Sequence, residues 1–504
     1  MFKSLLLPIL ASLLLIGSLS AHAKVWKEYA SENFTVISDQ DAVQVSKRIH
    51  ELEAYRASAL LFLGLENKKD STPAKIIIFD KAHEFRLLTG KNSRVAGYYQ
   101  QTLSGPVMVL SRLKTQESKG EENLVLFHEF IHYLIRERSS MIYPHWYEEG
   151  LCDLLAATVI KDGKAFIGQS NTWRHSAVMT RYSRTSTKKL VSTPPADRGA
   201  EYYRGLYSSG WLMTHYLLLG KLQGAPNYTE GLSKYLQAFS KGDSSLETFE
   251  RSLGVTADDL DKALREYAEN EEIVGISIPV PEYNAGISER ILSQAESEYY
   301  RAELLAYAGK EIKAQHFLRK VKPSDDQYYP RVLSKLAIYE GHDKDFDSAL
   351  GLLDQAFEVS KNDYQVLVDA AHLYADYIDE LKPKEPWDEK VQLLYAQGLV
   401  FAKSAYEHPN KTIEAPRYLR EYYRLKQDTL GTVKMYMEQY AYTPNNIELN
   451  KEIGNYLART SKPKLALPFL KKVVDFSHVE DDVEEIAKLI DSINKGEKIL
   501  PEKT

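Results

Sequence analysis

His128-Glu129-Phe130-Ile131-His132, followed by Trp146-Tyr147-Glu148-Glu149-Gly150, decides how this chain is to be read. On a helix His128 and His132 lie one turn apart on the same face, so both imidazoles reach a common point. Glu129 projects beside that point, where a carboxylate can take a proton from water. From Glu121 to Glu137 the residues Leu124, Phe127, Ile131, Leu134 and Ile135 carry the spacing of a half-buried helix. Pro144 breaks the chain after it, and a second helical stretch, Glu148 to Thr158, follows. That return pass supplies a carboxylate as a third ligand. Two histidines and one carboxylate, with a fourth position left to water, form the donor set of a catalytic zinc site rather than a structural one. The bland alternative is a core helix whose histidines are simply hydrogen-bonded. Two histidines and a glutamate are expensive to bury without a purpose.

Outward from these helices, the N-terminus has Lys3, an apolar run from Leu5 to Leu19, and Ala21-His22-Ala23. That is the pattern of a secretory signal peptide over 1–23, with Lys24 as the first mature residue and export into a bacterial periplasm as the expectation. No later segment approaches the length of a membrane span, so no transmembrane segment is expected in the mature chain. The single cysteine, Cys152, forbids an internal disulfide. A formal charge of −6 with no basic stripe speaks against nucleic acid as a partner.

At His128 to His132 and Trp146 to Cys152 the chain resembles the gluzincin metallopeptidases, which join H-E-x-x-H to a helix written W-x-x-E-G-x-A. The resemblance implies Zn2+ held by His128, His132 and Glu149, with Glu129 as general base and Glu148 as a flanking residue. Cys152 stands where the group usually has alanine and reads as helix packing, with a thiolate ligand as the competing idea. Asp153 matches a position whose carboxylate orients the first histidine ligand, or is a solvated helix charge. Tyr202-Tyr203-Arg204-Gly205-Leu206-Tyr207-Ser208-Ser209-Gly210, running into the apolar helix Trp211 to Leu219, is similar to an element whose tyrosine stabilises the tetrahedral intermediate. Aligned through Gly210 that residue is Tyr207, with Tyr202 and Tyr203 as alternatives. The aminopeptidase signature G-x-M-E-N is missing. Its nearest counterpart, Ser104-Gly105-Pro106-Val107-Met108-Val109-Leu110, lacks the glutamate and favours an endopeptidase.

The first mature segment alternates short strands with helix: Phe34 to Ile37 and Lys75 to Phe79 flank a helix from Ala42 to Leu63. Gly97 to Leu110 reads as a strand pair. In gluzincins such an edge binds the substrate backbone; otherwise it is an ordinary hairpin. Two amphipathic helices are expected from Asn227 to Ala268, then a linker with Pro279 and Pro281. From Asn284 small residues recur on helical pattern: Ala314-Leu318-Val321, Ala349-Leu353-Ala356, Gly398-Ala402-Ala405 and Ala466-Leu470-Val473, with a weaker copy near Thr432. This resembles tetratricopeptide repeats, whose concave face usually holds a peptide or protein. An irregular helical domain that only buttresses its neighbour is the other reading.

The expected architecture is therefore an α+β zincin-like metallopeptidase domain over 24–275 followed by an all-α tetratricopeptide-like helical repeat domain over 284–500. The expected function is an exported zinc peptidase acting on a peptide or protein substrate, with a protein partner on the repeats. An exported chaperone or scaffold with a residual or latent metal site is the alternative from another class. A zinc hydrolase acting on a non-peptide amide is the third.

Overall fold

The computed structural model describes residues 25–70, 73–91, 97–102, 105–111, 121–139, 141–169, 176, 179, 184–194, 197–270, 273–323, 326–384, 386–477 and 480–499. The signal-peptide assignment over 1–23 lies outside them. No described helix is long and apolar enough to cross a membrane. The fold is mixed α+β with a predominantly helical second half.

A six-stranded sheet organises the first part. Its strands are β1 (Lys27–Ala30), β2 (Phe34–Ser38), β3 (Ala74–Ile78), β4 (Gly97–Thr102) and β5 (Gly105–Leu110). Three more, β6 (Val159–Lys161), β7 (Lys164–Ile167) and β8 (Ile276–Pro279), form a separate small sheet, and β9 (Ser288–Ile291) returns to the first. The order in the large sheet is β4-β5-β3-β2-β1-β9, with β2, β3 and β5 mutually parallel and β4 an antiparallel edge.

Parallel neighbours need crossovers. Helix α1 (Ala42–Leu63) provides the first, started by the Asp41 side chain accepting from the Val43 and Gln44 amides. It ends at Gly64, which takes φ +67°. Alternation then assigns each strand residue to a face. Phe34, Val36, Ile76, Ile78, Met108 and Leu110 enter the main core, while Ile37, Ile77 and Val109 enter a second core on the opposite face.

Helix α2 (Ala82–Thr89) covers that second face. Against the main face lie α3 (Glu121–Arg138) and α4 (His145–Ala156). Helix α4 begins three residues before the expected start, because Pro144 is preset for the position before a helix and its carbonyl accepts from Tyr147 and Glu148. A short α5 (Thr187–Ser192) precedes α6 (Ala200–Leu219), which is continuous through all three candidate tyrosines rather than starting at Trp211.

The stretch expected to hold two helices holds three: α7 (Thr229–Ser240), α8 (Leu246–Leu253) and α9 (Ala257–Ala268). Gly254 at φ +69° closes α8, and Thr256 caps α9 by accepting from the Asp259 amide, so the apolar pattern is interrupted between them. The proline-bearing segment offered as a linker contributes strand β8 to the small sheet, and β9 follows it onto the edge of the large one.

Beyond β9 run α10 (Gln294–Tyr307) and α11 (Glu311–Leu318), α12 (Tyr329–His342) and α13 (Phe346–Val359), and α14 (Tyr364–Leu381) and α15 (Glu389–Glu407). They continue as α16 (Ala415–Leu425) and α17 (Thr429–Tyr442), α18 (Ile447–Ala458) and α19 (Leu467–Phe476), and a terminal α20 (Glu480–Lys495). Each successive pair is packed together, and the first helices of the first four pairs also pack on one another in order. Ala314, Ala349 and Ala402 sit on the second helix of their pairs and Ala466 directly before α19, and all four are buried. Small side chains there let the helices approach closely.

Both ends of this helical array rest on the first part of the chain. At its start, Leu292, Ala295, Tyr299 and Leu304 share the second core with Trp26, Ile77, Phe79 and Leu88. At its end, Asn445 and Phe476 reach the last turn of α3.

Candidate metal centre

Helix α3 buries Phe127, Phe130, Ile131 and Leu134 in the main core. That fixes its rotation and turns His128 and His132 toward α4. Helix α4 is buried all round, so each of its charged side chains must find a partner inside the protein. Glu149 points back at the histidines.

His128 Nε2 lies 3.1 Å from Glu149 Oε2 and 3.2 Å from His132 Nε2, and His132 Nε2 lies 3.6 Å from Glu149 Oε2. These three atoms form the one group among the described residues whose spacing is able to hold a metal ion. Ligands at about 2.0–2.1 Å from a tetrahedral zinc are separated by roughly 3.3 Å, which is the scale of this triangle. The residues fit the ion that their chemistry implies.

The remaining ring nitrogens are also occupied. His128 Nδ1 pairs with Asp153 Oδ1 at 3.0 Å, and His132 Nδ1 with Glu148 Oε1 at 2.7 Å. A proton held at Nδ1 leaves the Nε2 lone pair for a metal and makes it more basic. Burial pulls the His128 imidazolium down, but the Asp153 and Glu149 carboxylates more than reverse this, lifting it to about 10. His132 is likewise drawn down by burial and then raised by Glu149 and Glu148. The site thus asks for positive charge between its three atoms. Glu148 and Glu149 are fully buried, and Asp153 nearly so, with Arg136 as the guanidinium that answers Glu148.

Three contributors were not legible as such. Glu148, a flanking residue in the sequence reading, anchors His132 and accepts from Arg136 Nε at 3.0 Å. His145, one turn before Glu149, brings Nε2 within 3.4 Å of Glu149 Oε1. Arg136 follows His132 by one turn. The signal available in the sequence was Trp146 to Ala156 itself: in so apolar a helix, Glu148, Glu149 and Asp153 cannot all be solvated charges.

Of the three tyrosines, Tyr207 approaches the site, its ring centroid 6.3 Å from that of His128. Tyr202 is buried and its hydroxyl donates to the Leu190 carbonyl, while Tyr203 packs edge-on against His145. The approach of α6 depends on two glycines. A Cβ at Gly150 would meet the Gly210 carbonyl oxygen at 2.3 Å, and one at Gly210 would meet the Trp146 carbonyl oxygen at 2.7 Å. Glu129 is half-buried beside the pair, as is Tyr207. Cys152 is fully buried, and burial followed by the charges of Glu148 and Glu149 pushes its thiol well above the ordinary range. It is not among the side chains whose atoms are spaced to share a metal ion, and it packs within α4's buried surface. The edge strand β4 packs beside α3.

Compared with protein-family models, with curated proteins and with solved structures, the chain has no match. What can be said of its chemistry is carried by these side chains and their spacing.

Proposed function

We propose that this chain is an exported zinc-dependent peptidase, acting within chains rather than at their ends, in which a zincin-like domain is joined to a tetratricopeptide-like array. The observation that carries the reading is the triangle of His128 Nε2, His132 Nε2 and Glu149 Oε2, with each imidazole pinned through Nδ1 by a buried carboxylate. Zinc bound there would supply a Lewis acid that brings a water's pKa toward neutrality and polarises the scissile carbonyl. Glu129 is the base: its carboxylate takes a proton from the attacking water and returns it to the leaving amine. The Tyr207 hydroxyl donates to the oxygen on which negative charge develops. Strand β4, the antiparallel edge of the large sheet, is the place where an extended substrate adds its backbone.

Purified wild type is expected to carry about one zinc per chain and to cleave an unfolded protein substrate. Glu129→Gln keeps the metal and loses hydrolysis by several orders of magnitude, whereas His128→Ala loses the metal. Absence of zinc in metal-replete wild type, or hydrolysis that survives Glu129→Gln, would falsify the reading.

The binding or scaffold reading is favoured by one observation. A cavity of about 640 Å³ lies where the first helices of the array face the sheet, lined by Lys75, Val107, Lys335, Tyr339, Asp369 and Tyr418 among others. A groove of that size with mixed polar and apolar walls suits a peptide segment, and in a peptidase it serves recruitment.

A further inference from the structure

Arg136 stands where two distant parts of the chain meet. Its Nε donates to Glu148 Oε1, the same oxygen that holds His132 Nδ1, while its Nη2 donates to the Phe476 carbonyl at 2.8 Å. The Phe476 ring lies 5.5 Å from the guanidinium. Phe476 is the last residue of α19, so the cation also faces the negative end of a helix. One residue further is fixed from the same side. Asn445 Nδ2 donates to the carbonyls of Arg136 and Ser139, at 3.0 and 2.9 Å, and so caps the C-terminal end of α3. Asn445 in turn is held by Lys472, whose Nζ donates to its Oδ1 at 2.9 Å.

These contacts run without a gap from the last helix pair through Arg136 and Glu148 to the ring of His132. Every side chain in the path is buried: Asn445, Arg136, Glu148 and His132 are each at most 4% exposed. A buried ion pair holds its geometry only while all its hydrogen bonds are made. With Arg136 withdrawn, Glu148 would face the interior short of its cation, and its grip on Nδ1 would change.

We propose that Arg136 is a positioning residue through which the far end of the helical array sets metal affinity at the site. The array is thereby a structural part of the metal centre as well as a surface for other molecules. This rests on the reading that His128, His132 and Glu149 bind zinc.

The test is the zinc dissociation constant of the full-length chain, measured by competition with a chromophoric chelator. The melting temperature of the metal-free protein is recorded alongside. Arg136→Met is expected to weaken zinc by roughly 10- to 100-fold, as loss of a group that orients a ligand does. Asn445→Ala, which leaves the Arg136–Glu148 pair in place and removes the cap together with the Lys472 contact, is expected to weaken zinc by a smaller factor in the same direction. Arg138→Met serves as control, because Arg138 pairs with Asp70 and the Lys68 carbonyl, and it keeps the wild-type constant. If Arg136→Met does not fold, Asn445→Ala alone decides. Wild-type zinc affinity in Asn445→Ala overturns the proposal, as does an Arg136→Met protein that melts earlier yet binds zinc normally. A wild type that takes up no zinc overturns the metal-site reading itself, a result distinguishable from either.

Discussion

The helical array touches the sheet domain at both of its ends, and the two junctions are built from opposite chemistry. The first is apolar: Trp26, Ile77, Phe79 and Leu88 pack against Ala295, Tyr299 and Leu304, with the Trp26 ring edge-on to Phe79 at 5.3 Å. The second is polar and directional, made of the Arg136 and Asn445 hydrogen bonds to named oxygens. Apolar burial is strong but indifferent to small displacements. Hydrogen bonds to buried charges are sensitive to fractions of an ångström. The first junction therefore holds the molecule together, and the second transmits position.

Breaking the first junction is expected to give the largest effect on stability and none on the metal. Trp26→Ala removes a ring that is only 4% exposed and that also carries Arg301 over its face. A loss of about 3–5 kcal/mol is expected in denaturant unfolding, with zinc affinity in the surviving folded protein unchanged. A large loss of zinc affinity there would erase the distinction between the junctions. Next in size come the Arg136→Met and Asn445→Ala effects, which invert the pattern by moving zinc affinity more than stability.

The smallest effect sharpens the comparison through pH. Asp475 adjoins Phe476 at the polar junction, and its Oδ2 is shut off from water. Burial pushes its carboxyl up to about 6; Lys471 and Arg198 oppose the rise, and the Glu148 charge adds to it. Because the folded state holds this proton more tightly than the unfolded chain, folded stability falls as pH climbs from about 4 through 6 and stays lowered above that. Asp475→Asn is expected to gain on the order of 1–2 kcal/mol over wild type at pH 7.5 and nothing at pH 4. Equal gains at both pH values would show that the carboxylate charge is not what weighs on the junction.

Much of the sheet domain was legible because its periods are clean. The β-rich run Phe34 to Ile37 marks a strand and the spacing of Leu124 to Ile135 a helix with one buried face, and the observed elements follow them. Helix α1 was legible to the residue because Asp41 and Gly64 mark its ends. The count of helices between 229 and 268 was missed where a left-handed glycine and a capping threonine cut an apolar pattern that looked continuous. Strands β8 and β9 were missed because each is four residues long and flanked by prolines or glycine, with pairing partners over a hundred residues away in sequence.

At the candidate metal centre the same rule applies. His128 and His132 announce themselves through local spacing, and Glu149 through the resemblance carried by Trp146 to Cys152. Arg136 does not, because its meaning lies in Phe476 and Asn445, more than three hundred positions along the chain. Tyr207 was the preferred tyrosine through its alignment with Gly210, and it is the one of the three whose ring lies beside His128.

Fastening the array at both ends also changes what kind of object it is. A free stack of helix pairs frays from its open terminus, losing units one after another like a zip. Here the outermost full pair is bolted to α3 and the innermost is packed into the sheet's second core, so neither terminal pair is free to be the first to come undone.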